Sequence, residues 1–334
     1  RDRYYPVSHP SHLSRLPVKC ILDGFFYAFG EPVSVKKDAM SSGPPPRIPY
    51  AKPWLSVADQ VKKLESRGLQ VTNHADAEIF LRHINYYRFA GYCLAFESPR
   101  HVFPTGVEFD HIKASCLFDA SLRDLFNEAL EIIEIDLRTV VSNSFGQKYG
   151  AFGHTDPASF HPQFDKKIPH SNWLDEVRNE ARRSRELFIK HFERRYTQFP
   201  DLPVWVVTEI MTLGSLARMI RALHKADRQQ VAAEYGVSAK VLFSLSLHLN
   251  YVRNLCAHHS RLWDRRWSIQ SDLPNEPDWQ GANAVSNQRI YATLLLMRKM
   301  MLRSPHVKTD VDQWRDRVTS LLKTPPVVAN SAAL

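Results

Sequence analysis

An all-α fold is the class this sequence predicts. From Pro53 onward apolar residues recur at intervals of three and four, period-two strand alternation is nearly absent, and Ser, Gly and Pro stand where the periodic stretches begin and end. With 334 residues, 44% hydrophobic and 24% charged, the chain can bury the core of one large domain or two modest ones. It shows no internal repeat of a length that would indicate a solenoid.

Residues 1–49 lack a sustained period and contain the breaker Ser41-Ser42-Gly43-Pro44-Pro45-Pro46. They read as an irregular leader outside the native fold, with Met40 as an alternative natural start. An N-terminal helical segment follows over 50–108. Ser56 caps a helix through Arg67, with Val57, Val61 and Leu64 on one face and Gly68 as its stop. A second helix opens at Asp76 or Ala77 and contains Ile79, Leu81, Ile84 and Tyr87.

The main helical domain spans 109–322. Its longest periodic stretch, Phe109 to Phe145, aligns Leu117, Ala120, Leu125, Ala129, Ile132, Ile133 and Leu137. A Gly/Pro/His-rich insertion loop at 146–172 follows. Its His154, His161 and His170 show no HxxxH or HExxH pairing, so no metal is assigned. One charged helix from about Trp173 to Tyr196 carries Arg178, Arg182, Arg183, Arg185, Lys190, Arg194 and Arg195. It reads as a solvated face, with RNA contact as the second reading. Pro203 opens a helix through Trp205, Ile210 and Leu213, with Gly214 within or beside it. Short helices follow at Ser215–His224 and Arg228–Tyr235, and Ser238 caps a longer one to about His259. Beyond Pro274 and Pro277, helices are expected at Asn287–Leu302 and Thr309–Leu322, then a flexible tail over 323–334.

The net charge of +9 favours a polyanionic partner, nucleic acid first and an acidic membrane second. Cys20, Cys93, Cys116 and Cys256 lie far apart without a CxxC pair, which fits a reducing cytoplasm better than a disulfide framework. No apolar run is long enough for a membrane helix, and Asp23-Gly24 interrupts the early apolar stretch, so no membrane association is expected.

The stretch Asn250-Tyr251-Val252-Arg253-Asn254-Leu255-Cys256-Ala257-His258-His259-Ser260-Arg261-Leu262-Trp263 is the most informative. At about 100° per residue, Leu242, Leu245, Leu249, Val252 and Cys256 form a core stripe. Asn250, Asn254, His258 and Arg261 form a second stripe, occupied upstream by Phe243 and Leu247; Arg253 lies between the two. A helix apolar on both sides needs cover on both sides, and a helix from a second copy is the simplest cover for the second face. Arg253 and His258 are about 7.5 Å apart along the axis, and both can reach one cleft.

Such groups suit cleavage of RNA by its own 2′-hydroxyl. Imidazole titrates near neutrality and can take or give a proton, and a forked guanidinium holds phosphate and developing negative charge. Asn254 would orient them, and neither metal nor cofactor is required. The spacing alone is weak, since Arg218 with His224 and Arg185 with His191 also satisfy it. Packing or capping accounts for most such pairs. Trp263 and Trp267 read as core or interface aromatics, and Glu134 with Arg138 as a surface pair.

The longer string resembles the signature of the Abi-like (AbiD/AbiF) abortive-infection proteins of bacteria. Leu81-Arg82-His83-Ile84-Asn85-Tyr86-Tyr87-Arg88-Phe89-Ala90-Gly91-Tyr92 is similar to another element of that family. So are Phe118-Asp119 through Leu122-Arg123, Ile133-Glu134 to Arg138, Leu202-Pro203-Val204-Trp205 with Glu209, and Leu213-Gly214-Ser215-Leu216. The resemblance covers about residues 54–270. It implies a HEPN-type helical bundle with an N-terminal helical extension, and an Arg-x4–6-His endoribonuclease motif met by Arg253 and His258, with Asn254 at its polar second position. His259, Arg261, Asn250, Glu134 and Arg138 are the RNA-binding or supporting candidates. The resemblance further implies a homodimer with a composite site, RNA as substrate, and restraint by a small noncoding RNA or a protein antitoxin. The competing expectations are a noncatalytic RNA-binding HEPN protein and a structural helical dimer.

Overall fold

The computed structural model describes residues 49–162, 169–280, 284–304 and 310–326. The leader, Met40 and most of the expected tail lie outside these. The described residues are helical apart from loops, three short 3-10 turns and one isolated parallel bridge between Gln70 and Glu108. The all-α expectation is met. No helix among them is long and apolar enough to cross a membrane.

The chain forms two compact units. The first comprises the described residues up to Phe118, together with those from Thr319. It contains α1 (Val57–Glu65), α2 (His74–His83) and α3 (Tyr86–Cys93). Ser56 caps α1 by accepting from the Asp59 N–H at 3.1 Å, and Asn73 caps α2 through the Asp76 N–H at 3.0 Å. The single second helix expected through Tyr87 is two. Ile84 is extended, and the Asn85 side chain accepts from the Tyr87 N–H at 2.8 Å, a local bond that competes with helix continuation. Ile79 and Tyr87 are exposed, whereas Ala77, Leu81 and Phe89 are buried. Gly68 has φ +96°, and a side chain there would meet the Phe103 carbonyl at 2.7 Å, so only glycine fits this stop.

The second unit runs from Asp119 to Val318. Helix α4 (Phe109–Tyr149) supplies its long wall, with Leu122, Phe126, Ala129, Ile133, Leu137 and Val141 buried. Leu117, aligned with that face by the sequence, is instead exposed. Gly146 lies within α4, and His170 opens α5 (His170–Arg183), so the expected loop is shorter at both ends. The expected charged helix is broken: α6 (Leu187–Arg195) begins anew after Ser184, whose hydroxyl accepts from the Glu186 N–H. Likewise the helix opened by Pro203 stops at Ile210 as α7 (Val204–Ile210), and Thr212 caps α8 (Leu213–Ala222) through the Ser215 N–H at 3.1 Å.

Helix α9 (Lys225–Glu234) leads to α10 (Ala239–Ala257), followed by α11 (Ile290–Met301) and α12 (Val311–Lys323). Ser238 caps α10 through the Val241 N–H at 3.2 Å, a bond of about 1 kcal/mol. The α10 stripe of Leu242, Leu245, Leu249, Val252 and Cys256 is fully buried, and each large aliphatic side chain there contributes about 2 kcal/mol. Burial pushes the Cys256 thiol up to about 12, which makes it a packing residue. Tryptophan N–H groups tie the layers together, Trp173 to the Ser215 carbonyl and Trp314 to that of Leu125.

Two buried histidines act as structural polar groups. His248 donates from Nδ1 to the Ile269 carbonyl at 2.6 Å, which leaves Nε2 to accept from the Thr293 hydroxyl at 2.9 Å. Burial holds its pKa down. His154 is 1% exposed, its Nδ1 has no partner, and burial lowers it to about 4. Among the described residues no cluster of three His, Cys, Asp or Glu could hold a metal. A base depressed in the folded state favours protonation of the unfolded chain first. Stability should therefore be intact above pH 6.5 and fall as the pH drops toward 4, by about 3 kcal/mol for His154. Melting temperatures across this range should show the loss, and His154→Gln should flatten the slope whatever its effect at neutral pH.

Candidate functional site

The end of α10 and the chain just beyond it carry the candidate residues. Leu242, Ser246 and Leu249 are buried on one side of the helix, and Arg253 follows Leu249 by one turn. There the cover ends. Arg253 is exposed and lines a groove of about 330 Å³ with Asn127, Leu130, Glu131, Glu134, Ile135 and Arg138 of α4. The side chains of Arg253, Asn254 and His258 make no hydrogen bond or ion pair with the described residues, and all three are exposed.

Helix α10 closes one residue before His258. The His258 N–H bonds the Asn254 carbonyl at 3.0 Å, that of His259 bonds Cys256 at 2.9 Å, and that of Ser260 bonds Leu255 at 2.8 Å. This is a Schellman closure, and its left-handed residue is His259, with φ +52°. Glycine or asparagine usually fills that place, because a side chain there costs about 1 kcal/mol or more.

The segment after the closure is held by a residue the chemical reading of the sequence passed over. Asp119, fully buried in α4, accepts from the Leu262 N–H at 2.9 Å and from the Trp263 N–H at 2.6 Å. Its other oxygen is paired with Arg123, whose guanidinium lies 3.5 Å from the Ser260 carbonyl. A carboxylate in the apolar stripe of Leu122 and Phe126 was the available signal. Trp263 and Trp267 are buried, which makes them core residues and not surfaces for base stacking.

Glu134 and Arg138 form more than a surface pair. Their side chains are 14% and 18% exposed, they pair at 2.6 Å, and Arg138 also donates to the Met211 carbonyl at 2.9 Å, between α7 and α8. They stand in the groove with Arg253. Asn254, His258, His259 and Arg261 do not line it. Arg261 is half-buried, and its Nη1 has no partner.

Asn250 is half-buried against Gly214, where an added methyl would come within 3.2 Å of its amide, so glycine permits the close approach of α8 to α10. The expected partner-helix cover of the second α10 face is corrected in its upstream half. There the chain covers itself, with the guanidiniums of Arg221 and Arg228 lying 4.7 and 5.1 Å from the centre of the Phe243 ring. Only the downstream half, from Asn254, is open.

Arg253→Ala, Asn254→Ala and His258→Ala should each change unfolding free energy by no more than about 0.5 kcal/mol, because nothing in the fold rests on these side chains. Asp119→Ala should cost about 3 kcal/mol or more, since it strands a half-buried guanidinium and two buried N–H groups. Chemical denaturation of the four variants checks both expectations.

A family model described as Abi-like protein matches residues 79–264, which include α4, α10, the closure and the Asp119-bound segment. Comparisons with curated proteins and with solved structures gave no match. The match covers more than half of the chain, and the chain belongs to the Abi-like protein family.

Proposed function

We propose that this abortive-infection protein is a metal-independent endoribonuclease of HEPN type, acting in phage defence or as the toxin of a toxin–antitoxin pair. The observation that carries the reading is the exposed, unpartnered set Arg253, Asn254 and His258 at the end of an otherwise buried helix. Side chains that contribute nothing to packing, beside a strained histidine, suit a ligand better than the fold.

The chemistry follows from the residue types. A neutral imidazole takes the proton of a ribose 2′-hydroxyl, the oxygen attacks the adjacent phosphorus, and the 5′-oxygen leaves with a proton from an imidazolium. The products are a 2′,3′-cyclic phosphate and a 5′-hydroxyl. Arg253 stabilises the charge on the phosphate oxygens, and Asn254 positions the reacting groups. Two histidines in opposite protonation states are needed at once. A second copy facing the open half of α10 supplies the partner imidazole, which makes the site a shared one in a homodimer. A small noncoding RNA or a protein antitoxin would restrain it.

Purified chain incubated with RNA and with DNA of matching sequence in EDTA should cut only the RNA, leaving cyclic phosphate ends. Arg253→Ala and His258→Ala should each lower the rate by about 100-fold or more. Light scattering should give a mass twice that of one chain. RNA binding without cutting by the native protein would instead establish the noncatalytic, regulatory reading.

A further inference from the structure

The face formed by α5 and α6 is built differently from an ordinary solvated surface. Between Arg182 and Tyr196 stand six cations, Arg182, Arg183, Arg185, Lys190, Arg194 and Arg195, against Glu186 and Glu193. This is an excess of +4 over residues 182–196; over the whole of α5 and α6, where Arg178 stands with Asp175, Glu176 and Glu180, seven cations meet five acids and the excess is +2. Lys190 pairs with Glu193 at 2.7 Å, and Arg182 reaches the amide of Asn179 at 3.1 Å. Arg183, Arg185, Arg194 and Arg195 are exposed and have no carboxylate partner among the described residues. A solvated helix usually spaces opposite charges one turn apart; this one leaves four guanidiniums unneutralised.

Aromatic rings interleave with that charge. His191, Phe192 and Tyr196 form a cluster, with ring centres 4.9 Å apart for Phe192–Tyr196 and 6.0 Å for His191–Tyr196. Tyr196 is 47% exposed and Phe188 is 42% exposed. On α6 the one fully buried side chain is Ile189, and the direction opposite it carries Leu187, His191, Arg194 and Arg195. The platform beneath is firm. Helix α5 buries Trp173, Leu174, Val177 and Ala181, and Arg178 binds Asp201 through two bonds of 2.7 and 3.0 Å.

We propose that this outward face of α5 and α6 docks single-stranded RNA. The four unneutralised arginines hold phosphates, and Tyr196, Phe188 and His191 offer ring faces to unpaired bases. A duplex keeps its bases stacked on each other and cannot use the rings. An acidic membrane is the weaker match, because Leu187 and Phe188 alone would enter lipid from a helix of nine residues. Only the choice of RNA over DNA rests on the ribonuclease reading above; the surface itself does not.

The test is fluorescence anisotropy with a labelled single strand of about 20 nucleotides, in EDTA, using the full chain carrying His258→Ala so that the strand stays whole. Adding Arg194→Glu and Arg195→Glu should weaken binding about tenfold or more. The milder Arg194→Gln and Arg195→Gln pair should lower the slope of log affinity against log salt by about 1.4. Tyr196→Ala should cost about tenfold. Unchanged affinity in both charge pairs, with helical circular dichroism retained, would overturn the proposal. So would charge-pair variants that lose binding to acidic phospholipid vesicles and keep it for RNA. Equal binding of single-stranded DNA would keep the surface and remove its preference for RNA. Failure of the native chain to cut RNA with this binding intact would overturn the ribonuclease reading and leave the surface standing.

Discussion

The carboxylate of Asp119 is the constraint on which the candidate site depends. It is fully buried in a wall of leucine and phenylalanine, where an unpaired charge would cost several kcal/mol. Its oxygens take two backbone N–H groups from Leu262 and Trp263 and the guanidinium of Arg123, so the charge is compensated from three sides. Each of those partners is thereby fixed. The chain that leaves α10 at His258 must return to α4 within five residues, and the short path forces the tight closure through His259. Loss of the carboxylate would free the segment that carries His258, His259 and Arg261 together.

Around that anchor, packing and openness are divided along α10. Its first three turns are enclosed by α8, α9 and the region of Trp267, with His248 bridging to α11 and the Phe243 ring held between two arginines. Its last turn is closed only on the side of Val252 and Cys256. Arg138 has a similar double character. One bond fixes the bend between α7 and α8, and another holds Glu134 in the groove where Arg253 emerges. The groove wall is thus held by paired side chains, while Arg253 opposite is exposed and makes no side-chain hydrogen bond or ion pair with the described residues.

Much of this was legible in the residues. The caps Ser56 and Ser238, the stop at Gly68 and the buried stripe of α10 follow from local rules, because both the signal and its physical cause lie within one or two turns. Arg253 and His258 stand out in the sequence because polar groups break an apolar helix. The breaks at Asn85, Ser184 and Thr212 were missed because a single side-chain bond to a nearby N–H decides each one, against a continuing periodicity. The roles of Asp119 and Arg221 were hidden for a different reason. Their partners lie far along the chain, 143 residues away for the Asp119–Leu262 bond, and no local pattern encodes the pairing. Leu117 and Ile135 are apolar at helical spacing yet exposed, so periodicity marks a face without saying how far the cover extends.

The closure at the end of α10 also bears on its twin imidazoles. His258 keeps a near-helical backbone, with φ −89°, while the next residue turns to φ +52°. Two neighbours with opposite backbone hands send their side chains along different directions, so adjacency in sequence is not duplication in space. His259 is no spare for His258. The pair instead addresses two regions around one helix end, and a handedness change at one peptide unit gives this molecule two distinct imidazole positions where the sequence shows a simple repeat.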